Sequence, residues 1–283
     1  MPITSLVKSL GGLWLLLAFA VPAQANEQAQ LVSSINAYRS QVQRCAGQAS
    51  QELPPLASDQ RLVLSLNTLG DLQQAVTRAS YPMSSVQAIS LSGPRDVQSA
   101  MSALQESFCH VLLDPQYVDI GINRDGREWR IVLARPLLSA RLADWQAEGQ
   151  KILESINSAR LHARQCGTQA FSASPPLTWN SSLATAAEAH SRSMANNNRF
   201  DHKDLNGYTP GDRAELAGYS GQHIGENIAA GHDSASKVVE GWLASPGHCA
   251  NVMNPQFREL GAAYAIDPKS DAGIYWTALL GAE

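Results

Sequence analysis

The chain of 283 residues carries 21 Lys and Arg against 25 Asp and Glu, a formal net charge of −4, and these charges are scattered along the sequence. Proteins that bind nucleic acid or an acidic membrane surface concentrate basic residues in a patch, so the composition argues against both kinds of partner. The length exceeds the roughly 100–150 residues of a usual single domain, and we therefore expect two domains.

The N-terminal segment predicts export. Lys8 precedes an apolar run from Leu13 to Val21, and Ala23-Gln24-Ala25 is typical of a signal-peptide cleavage site. We expect residues 1–25 to be a signal peptide cleaved after Ala25, with a retained N-terminal anchor as the alternative. Since no later segment offers about 18 uninterrupted apolar residues, we expect a periplasmic or extracellular protein with no membrane span after cleavage.

The remaining chain contains an internal repeat. The segment INAYRSQVQRCAG (35–47) corresponds to INSARLHARQCG (156–167) at a constant offset of 121 residues, which also aligns the two PPL motifs that end at Leu56 and Leu177. Further along, CHVLLDPQYVDIGI (109–122) corresponds to CANVMNPQFRELGA (249–262). Two copies of one domain are predicted, at 26–140 and 146–283.

Hydrophobic periodicity predicts mixed α/β structure in each copy. The first copy is expected to end in a strand at 129–133, and the junction 138–150 has little Gly or Pro, which favours a helix. In the second copy we predict helices around 152–159, 183–194, 210–216 and 235–243, then strands at 259–266 and 273–281. Asn180 and Ser234 are the expected N-caps of the second and fourth of these helices.

The four cysteines are expected to form disulfides, because the chain is exported and none of them has C-x-x-C spacing. Corresponding cysteines of duplicated domains should pair alike. This predicts Cys45–Cys109 and Cys166–Cys249, one bridge per copy. Bridges between the two copies are the alternative.

Reactive side chains are concentrated in the second copy: His202, Glu226, Ser245, His248 and Tyr275. Two imidazoles and a carboxylate can ligate a divalent metal such as zinc. They can equally act as base and acid around a bound water. The sequence spacing matches no local metal motif, so either role depends on the fold bringing them together.

Four segments of the second copy carry a family resemblance: HSRSMANNNRFDH, GYSGQHIGENIAAG, VVEGWLASPGHCANVMNP and YWTALLG. In this order and spacing they resemble the bacterial branch of the CAP superfamily, which includes cysteine-rich secretory proteins, insect antigen 5 and plant pathogenesis-related proteins. The resemblance covers about residues 150–283. It implies a three-layer α-β-α sandwich, here in tandem, with a cleft lined in animal and plant members by two His and two Glu.

The resemblance assigns His202 to the first family histidine and Glu226 to the acid of the G-E-N motif. The second family acid falls on Ser245 and the last histidine on Tyr275, so His248 is the expected substitute ligand. The implied cleft set is therefore His202, Glu226, Ser245, His248 and Tyr275, with His202, Glu226 and His248 as the candidate metal ligands and catalytic groups. The first copy has no histidine from Ala46 to Phe108, which indicates a degenerate copy that serves as scaffold or partner surface.

Several residues also have purely structural interpretations. Glu226 could pair with His202 only to orient a loop, and His248 could only pack or cap a helix. We predict that His190 is a core histidine and that Arg213 bridges the irregular segment 201–222 and holds it in place. Ser245 lacks the flanking glycines of a nucleophile elbow. His162, His223 and His232 are predicted at the surface.

Two function classes remain. The first is an exported binding or interaction module whose His/Glu-lined cleft holds a small ligand, lipid, peptide or divalent metal, with a protein as a further partner. The second is a hydrolase that acts on peptides or cell-envelope material through a metal-bound or base-activated water. The missing second acid and last histidine favour the binding module over an enzyme.

Overall fold

A computed structural model of the protein describes residues 23–66, 71–137 and 142–282. The apolar run of the predicted signal peptide lies outside these residues, and so does the start of the predicted junction helix. In the described part of the chain, no helix combines the length and apolar character that a membrane crossing requires.

The described residues of the first half form three α-helices and six strands. They are α1 (Ala23–Arg39), β1 (Arg44–Cys45), β2 (Gln48–Ala49), β3 (Ala57–Ser58), α2 (Leu72–Arg78), β4 (Met83–Ser92), α3 (Val97–Leu112), β5 (Asp119–Asp125) and β6 (Glu128–Pro136), with a 3₁₀ turn at Gln60–Leu62.

The second half contains five α-helices and six strands. They are α4 (Trp145–Arg160), β7 (Arg164–Cys166), β8 (Gln169–Phe171), β9 (Thr178–Trp179), α5 (Ser181–Asn196), α6 (Pro210–Leu216), β10 (His223–Ala230), α7 (Ala235–Ala244), α8 (Pro246–Met253), β11 (Glu259–Ile266) and β12 (Ile274–Ala282). The helices and strands predicted for this half are present. In the described part of the junction, 142–150, the helix begins at Trp145.

The two halves have the same sheet topology. Strand order is β3-β5-β6-β4 in the first and β9-β11-β12-β10 in the second, with the short first strand parallel to its neighbour and the other pairs antiparallel. Each half also has a separate two-stranded hairpin, β1-β2 or β7-β8. This shared order matches the repeat found in the sequence.

Both sheets are covered by helices on both faces. On β12, Leu280 packs in the core with α4, α7 and α8, whereas its neighbour Leu279 packs with Leu183 of α5. On β6, Leu133 packs with α1 and α3, whereas Val132 packs with Val76 of α2. Since successive strand residues point to opposite faces, each half is a three-layer α-β-α sandwich, as predicted.

Both predicted disulfides are confirmed. Cys45 pairs with Cys109 and Cys166 with Cys249, and the described residues contain no free cysteine. Each bridge ties the β-hairpin after the first helix of a half to the helix that precedes its central strands. The loops span 64 and 83 residues, so in the chain-entropy model each bridge stabilises the fold by about 4 kcal/mol. Bridges between the halves are excluded.

A buried arginine fixes the same loops in each half. The guanidinium of Arg39 donates to the carbonyl oxygens of Pro54, Leu112, Asp114 and Tyr117, and that of Arg160 to those of Pro175, Val252, Asn254 and Phe257. These acceptors occupy corresponding positions of the repeat. Both arginines are fully buried. Each holds the two segments that recur in the sequence repeat, the Pro-Pro pair and Cys-x-x-x-x-x-Pro-Gln.

The halves differ on the face that α5 covers. The 16 residues of α5 have no counterpart of that length, because the first half has the 3₁₀ turn and the seven residues of α2 in this layer. Asn180 caps α5 by accepting from the backbone N–H of Leu183, as predicted. Ser234 is the N-cap residue of α7, as predicted, but its side chain makes no capping hydrogen bond.

The halves pack on one another through α7. Lys237 donates to the carbonyl oxygen of Ser58 at 2.8 Å and pairs with Asp59 at 3.0 Å. The Nε2 atom of His232 lies 3.1 Å from the carbonyl oxygen of Pro55. The prediction that His232 lies at the surface is wrong, because the ring is fully buried between the two copies.

Asp119 lies buried at the same contact. Its Oδ2 accepts from the hydroxyl of Tyr81 at 2.7 Å, and its Oδ1 lies 3.9 Å from Nδ1 of His232. Burial raises the pKa of Asp119 to about 7, against the opposing effects of the Tyr81 hydrogen bond and the charge of Lys237. Burial lowers the pKa of His232 to about 4, so the imidazole is neutral at pH 7.

Asp119→Asn is expected to change how stability depends on pH. Folded Asp119 keeps a proton that the unfolded chain has already lost, so between about pH 4 and 7 the free energy of unfolding falls as the pH rises. From about pH 5 to pH 8 the free energy of unfolding of the wild type should fall by about 2–3 kcal/mol through this group. Asp119→Asn should not show this fall. Urea unfolding of both proteins at the two pH values measures the difference. Equal pH profiles would contradict the raised pKa.

Candidate functional site

A cavity of about 290 Å³ lies where the two halves meet, and we call it the histidine cavity. From the second half it is lined by His202, Glu226, Ser245, His248 and Asn251, and from the first half by Ser40, Glu52 and Leu53. Four of the five predicted cleft residues are therefore in one cavity. The contribution of the first half was not predicted.

Different elements supply the polar side chains. His202 lies in the irregular segment after α5, Glu226 in the middle of β10, and His248 in the first turn of α8. Ser245 follows the last residue of α7 and precedes Pro246, the first residue of α8. The chain therefore turns between the two helices at Ser245, which lines the cavity. The sheet thus fixes Glu226, while loops and helix ends bring the other groups to it.

Glu226 is buried and both its carboxylate oxygens are occupied. Oε1 lies 2.8 Å from Nδ1 of His202, and Oε2 accepts from Nη2 of Arg213 at 2.5 Å. Its side chain is 1% exposed and that of Arg213 is 6% exposed, so the ion pair is shielded from solvent. A buried carboxylate requires such partners, because an unpaired charge there is strongly unfavourable.

Arg213 also fixes the irregular segment. Its Nη1 donates to the carbonyl oxygens of His202 at 2.9 Å and Tyr208 at 2.8 Å. The predicted role of Arg213 in holding this segment is confirmed. The same guanidinium also pairs with the carboxylate of Glu226. One side chain therefore fixes both the backbone that carries His202 and the carboxylate that orients its ring.

His202 is the accessible member of this network. Its side chain is 42% exposed, and with Nδ1 directed at Glu226 the other ring nitrogen, Nε2, has no protein partner among the described residues. Burial lowers the pKa of His202, but the hydrogen bond and charge of Glu226 and the charge of Glu52 outweigh it, so the pKa is raised. The ring can present either a donor or an acceptor at Nε2 near neutral pH.

Ser245 and His248 form a second pair in the cavity. The Nδ1 atom of His248 lies 2.9 Å from Oγ of Ser245, and burial lowers the pKa of His248 to about 4. The backbone of His248 is held from the other side, because the amide of Asn227 donates to its carbonyl oxygen. His248 is thus a neutral imidazole with a fixed position.

His190 lies behind the site on α5. It is 1% exposed, as predicted for a core histidine, and its Nε2 is 3.0 Å from the carbonyl oxygen of Asp201 and 3.9 Å from Oε1 of Glu226. Burial lowers its pKa, so the ring is neutral. Its contact with Glu226 was not predicted from the sequence.

The arrangement does not fit the predicted zinc site. Across the described residues, no group of three or more His, Cys, Asp or Glu side chains is placed to hold a metal ion. Each carboxylate oxygen of Glu226 already has a partner, in His202 and Arg213, while Nδ1 of His248 is directed at Ser245. We therefore derive no chemistry through a metal at His202, Glu226 and His248.

Tyr275 is the predicted cleft residue that does not reach the histidine cavity. It lies on β12 and lines a neighbouring cavity of about 480 Å³, where its hydroxyl donates to Oδ1 of Asn198 at 3.1 Å. The two cavities share Glu52, Leu53 and Phe200. The residue that the family resemblance assigned to the last cleft histidine thus lines a separate cavity in this chain.

Residues 153–280 match the sequence model of the CAP family, described as the cysteine-rich secretory protein family. Two proteins of Bacillus subtilis are similar: YkwD, 35% identical over 102 residues (36% of this chain and 38% of YkwD), and the membrane protein YlbC, 36% identical over 85 residues (30% of this chain and 25% of YlbC). The chain therefore spans well under half the length of these relatives.

Solved structures are also similar in part. An extracellular protein with an SCP domain from Bacillus anthracis is 25% identical, with 56% of this chain and 53% of that chain covered and a TM-score of 0.41. An outer surface protein from Borrelia burgdorferi is 20% identical, with 50% of this chain and 98% of that chain covered and a TM-score of 0.40.

Proposed function

Because residues 153–280 are a CAP domain of the bacterial type, we propose that the protein is an exported binding module that holds a small polar ligand in the histidine cavity. The signal-peptide pattern and the two disulfides support export, since disulfides persist in oxidising compartments. The first copy, at 26–140, is the scaffold that closes one side of the cavity of the second, at 146–283.

The observation that carries the proposal is the orientation of His202. Glu226, which is itself paired with Arg213, holds the ring at Nδ1, and Nε2 has no protein partner among the residues described. A side chain that is held this firmly by buried groups and still reaches the cavity surface is preorganised to bind. With its raised pKa, His202 gains a proton readily and then donates to an acceptor such as a carboxylate.

The size and lining of the cavity limit the ligand. About 290 Å³ is at the lower end of the roughly 300–1,000 Å³ of small-molecule sites. Leu53, Phe200 and Ile228 contribute apolar groups to the lining, and Ser245, His248 and Asn251 contribute polar groups. These features favour the end of a peptide over a lipid chain.

The proposal is tested with N-acetyl-alanyl-alanine, which offers one carboxylate and short apolar groups. We expect saturable NMR shifts at the amides of Glu226 and Asn251, and binding weakened about tenfold or more in His202→Phe, which keeps a ring but removes the donor. His162→Phe, at an exposed histidine outside the cavity, is the matched control. Shifts that are unchanged in His202→Phe would refute the assignment of the ligand to this cavity.

A hydrolase is the second candidate, favoured by the hydrogen bond between a buried carboxylate and the Nδ1 side of His202. This arrangement is the one that orients an imidazole to act as a general base on water. The two candidates differ in outcome for the same probe. Cleavage of N-acetyl-alanyl-alanine by the wild type, lost in His202→Phe and seen by mass spectrometry, supports the hydrolase, whereas binding without cleavage supports the module.

A further inference from the structure

The cavity next to the histidine cavity is built by both halves. We call it the seam cavity, after its place between the two copies. Its volume is about 480 Å³, within the roughly 300–1,000 Å³ of small-ligand sites. The first half contributes Glu52, Leu53 and Arg135, and the second contributes Phe200, Ala230 and Tyr275. A single copy of the domain could not form it.

Two charged side chains of opposite sign line this cavity. Within the described ranges, neither Glu52 nor Arg135 has a hydrogen bond or ion pair from its side chain. The third charged residue of the lining, Asp271, is different: its Oδ2 accepts from the amide of Asn198 at 2.8 Å. Because that amide is neutral, Asp271 keeps its charge, and the lining carries two carboxylates and one guanidinium. Of the two carboxylates, only that of Glu52 has no hydrogen-bond partner among the described residues.

The second half supplies a wall that is held by hydrogen bonds and includes apolar groups. Asn198 accepts from the backbone N–H of Asp271 and from the hydroxyl of Tyr275, which ties the segment after α5 to the loop between β11 and β12. Phe200 and the buried Ala230 and Tyr275 supply the apolar surface. A preorganised wall of this kind lowers the cost of ordering on binding.

We propose that the seam cavity binds a free short peptide or amino acid, with the α-carboxylate of the ligand at Arg135 and its α-ammonium at Glu52. A planar guanidinium binds a carboxylate through two parallel hydrogen bonds, and an ammonium binds a carboxylate through a charge-assisted one. A ligand that carries both groups satisfies both side chains at once, and its small side chains lie against the apolar groups of the wall. The site does not include His202, although it shares Glu52, Leu53 and Phe200 with the histidine cavity, and it gives the first copy a role in binding.

The test compares trialanine with two analogues that each lack one charge, N-acetyl-trialanine and trialanine amide. The wild type is expected to bind trialanine about tenfold more tightly than either analogue, read by NMR shifts at the amides of Ala230 and Ala272. In Glu52→Gln, trialanine and N-acetyl-trialanine should bind alike. In Arg135→Gln, trialanine and its amide should bind alike.

Matched variants separate this site from other effects. Glu106→Gln and Arg127→Gln change exposed charges outside the cavity and should keep the tenfold preference. His202→Phe should also keep the tenfold preference for trialanine. Loss of N-acetyl-alanyl-alanine binding in the histidine cavity can therefore be distinguished from loss of trialanine binding in the seam cavity. Either of two results would overturn the proposal. One is no saturable shift with the wild type at about 10 mM trialanine, and the other is a preference for trialanine over both analogues that persists in Glu52→Gln and in Arg135→Gln.

Discussion

Arg160→Met is expected to lower the free energy of unfolding by about 3–5 kcal/mol, because leaving a buried acceptor unpaired costs about 1–3 kcal/mol and some of the acceptors can recover water. The guanidinium donates to the carbonyl oxygens of Pro175, Val252, Asn254 and Phe257 at 2.6–3.3 Å, and the methionine keeps the stem but none of the donors. Urea unfolding followed by circular dichroism measures the change.

The repeat provides a matched test. Arg39→Met removes the corresponding hydrogen bonds of the first half and should cost a similar amount. Arg192→Met, on an arginine whose side chain is 64% exposed and which pairs with Glu188, should cost less than about 0.5 kcal/mol. If Arg160→Met were as mild as Arg192→Met, these buried arginines would not fix the loops.

Glu226→Ala is expected to destabilise the protein by about 3–5 kcal/mol, because it leaves the buried Arg213 charge without its partner. In a double-mutant cycle, Arg213→Met combined with Glu226→Ala should cost at least about 2 kcal/mol less than the sum of the two single changes. Chemical denaturation of the four proteins gives the coupling free energy. The pKa of His202 should also fall in Glu226→Ala, since the carboxylate that raises it is gone.

An exposed pair is the control for this cycle. Glu188→Ala with Arg192→Met removes a solvent-exposed ion pair on α5, with the partners one helical turn apart, and its coupling should be about 0.5 kcal/mol or less. Additive losses at Glu226 and Arg213 would mean that the pair does not stabilise the fold as a unit.

The framework was predictable because it is encoded locally and twice. The repeated Cys, Pro and Arg positions predicted the two disulfides, and helical and strand periodicity located α4, α5, α7, β11 and β12. The close approach at Gly121 and Gly261 belongs to the same framework, since a Cβ there would lie within 2.6 Å of the backbone of Leu62 and Ala184, respectively. These constraints act within one half, and comparison of the two copies selected the disulfide pairing.

The features that were missed arise where the halves meet. His232 carries a surface-like sequence context, GHDS, yet is buried because Pro55 of the other half covers it. Glu52 and Leu53 precede the first Pro-Pro-Leu motif, and nothing in their local sequence indicates that they line cavities of the second copy. Tyr275 was placed in the wrong cavity for the same reason, since the seam cavity exists only after docking.

The connectivity of the two disulfides has a consequence for biogenesis. Cys45 joins Cys109 and Cys166 joins Cys249, so each bridge links cysteines that are adjacent in the order along the chain. Under the proposed export, an oxidase that couples thiols in the order in which they emerge forms both native bridges without an isomerase. The first half can close its bridge before the second half has emerged.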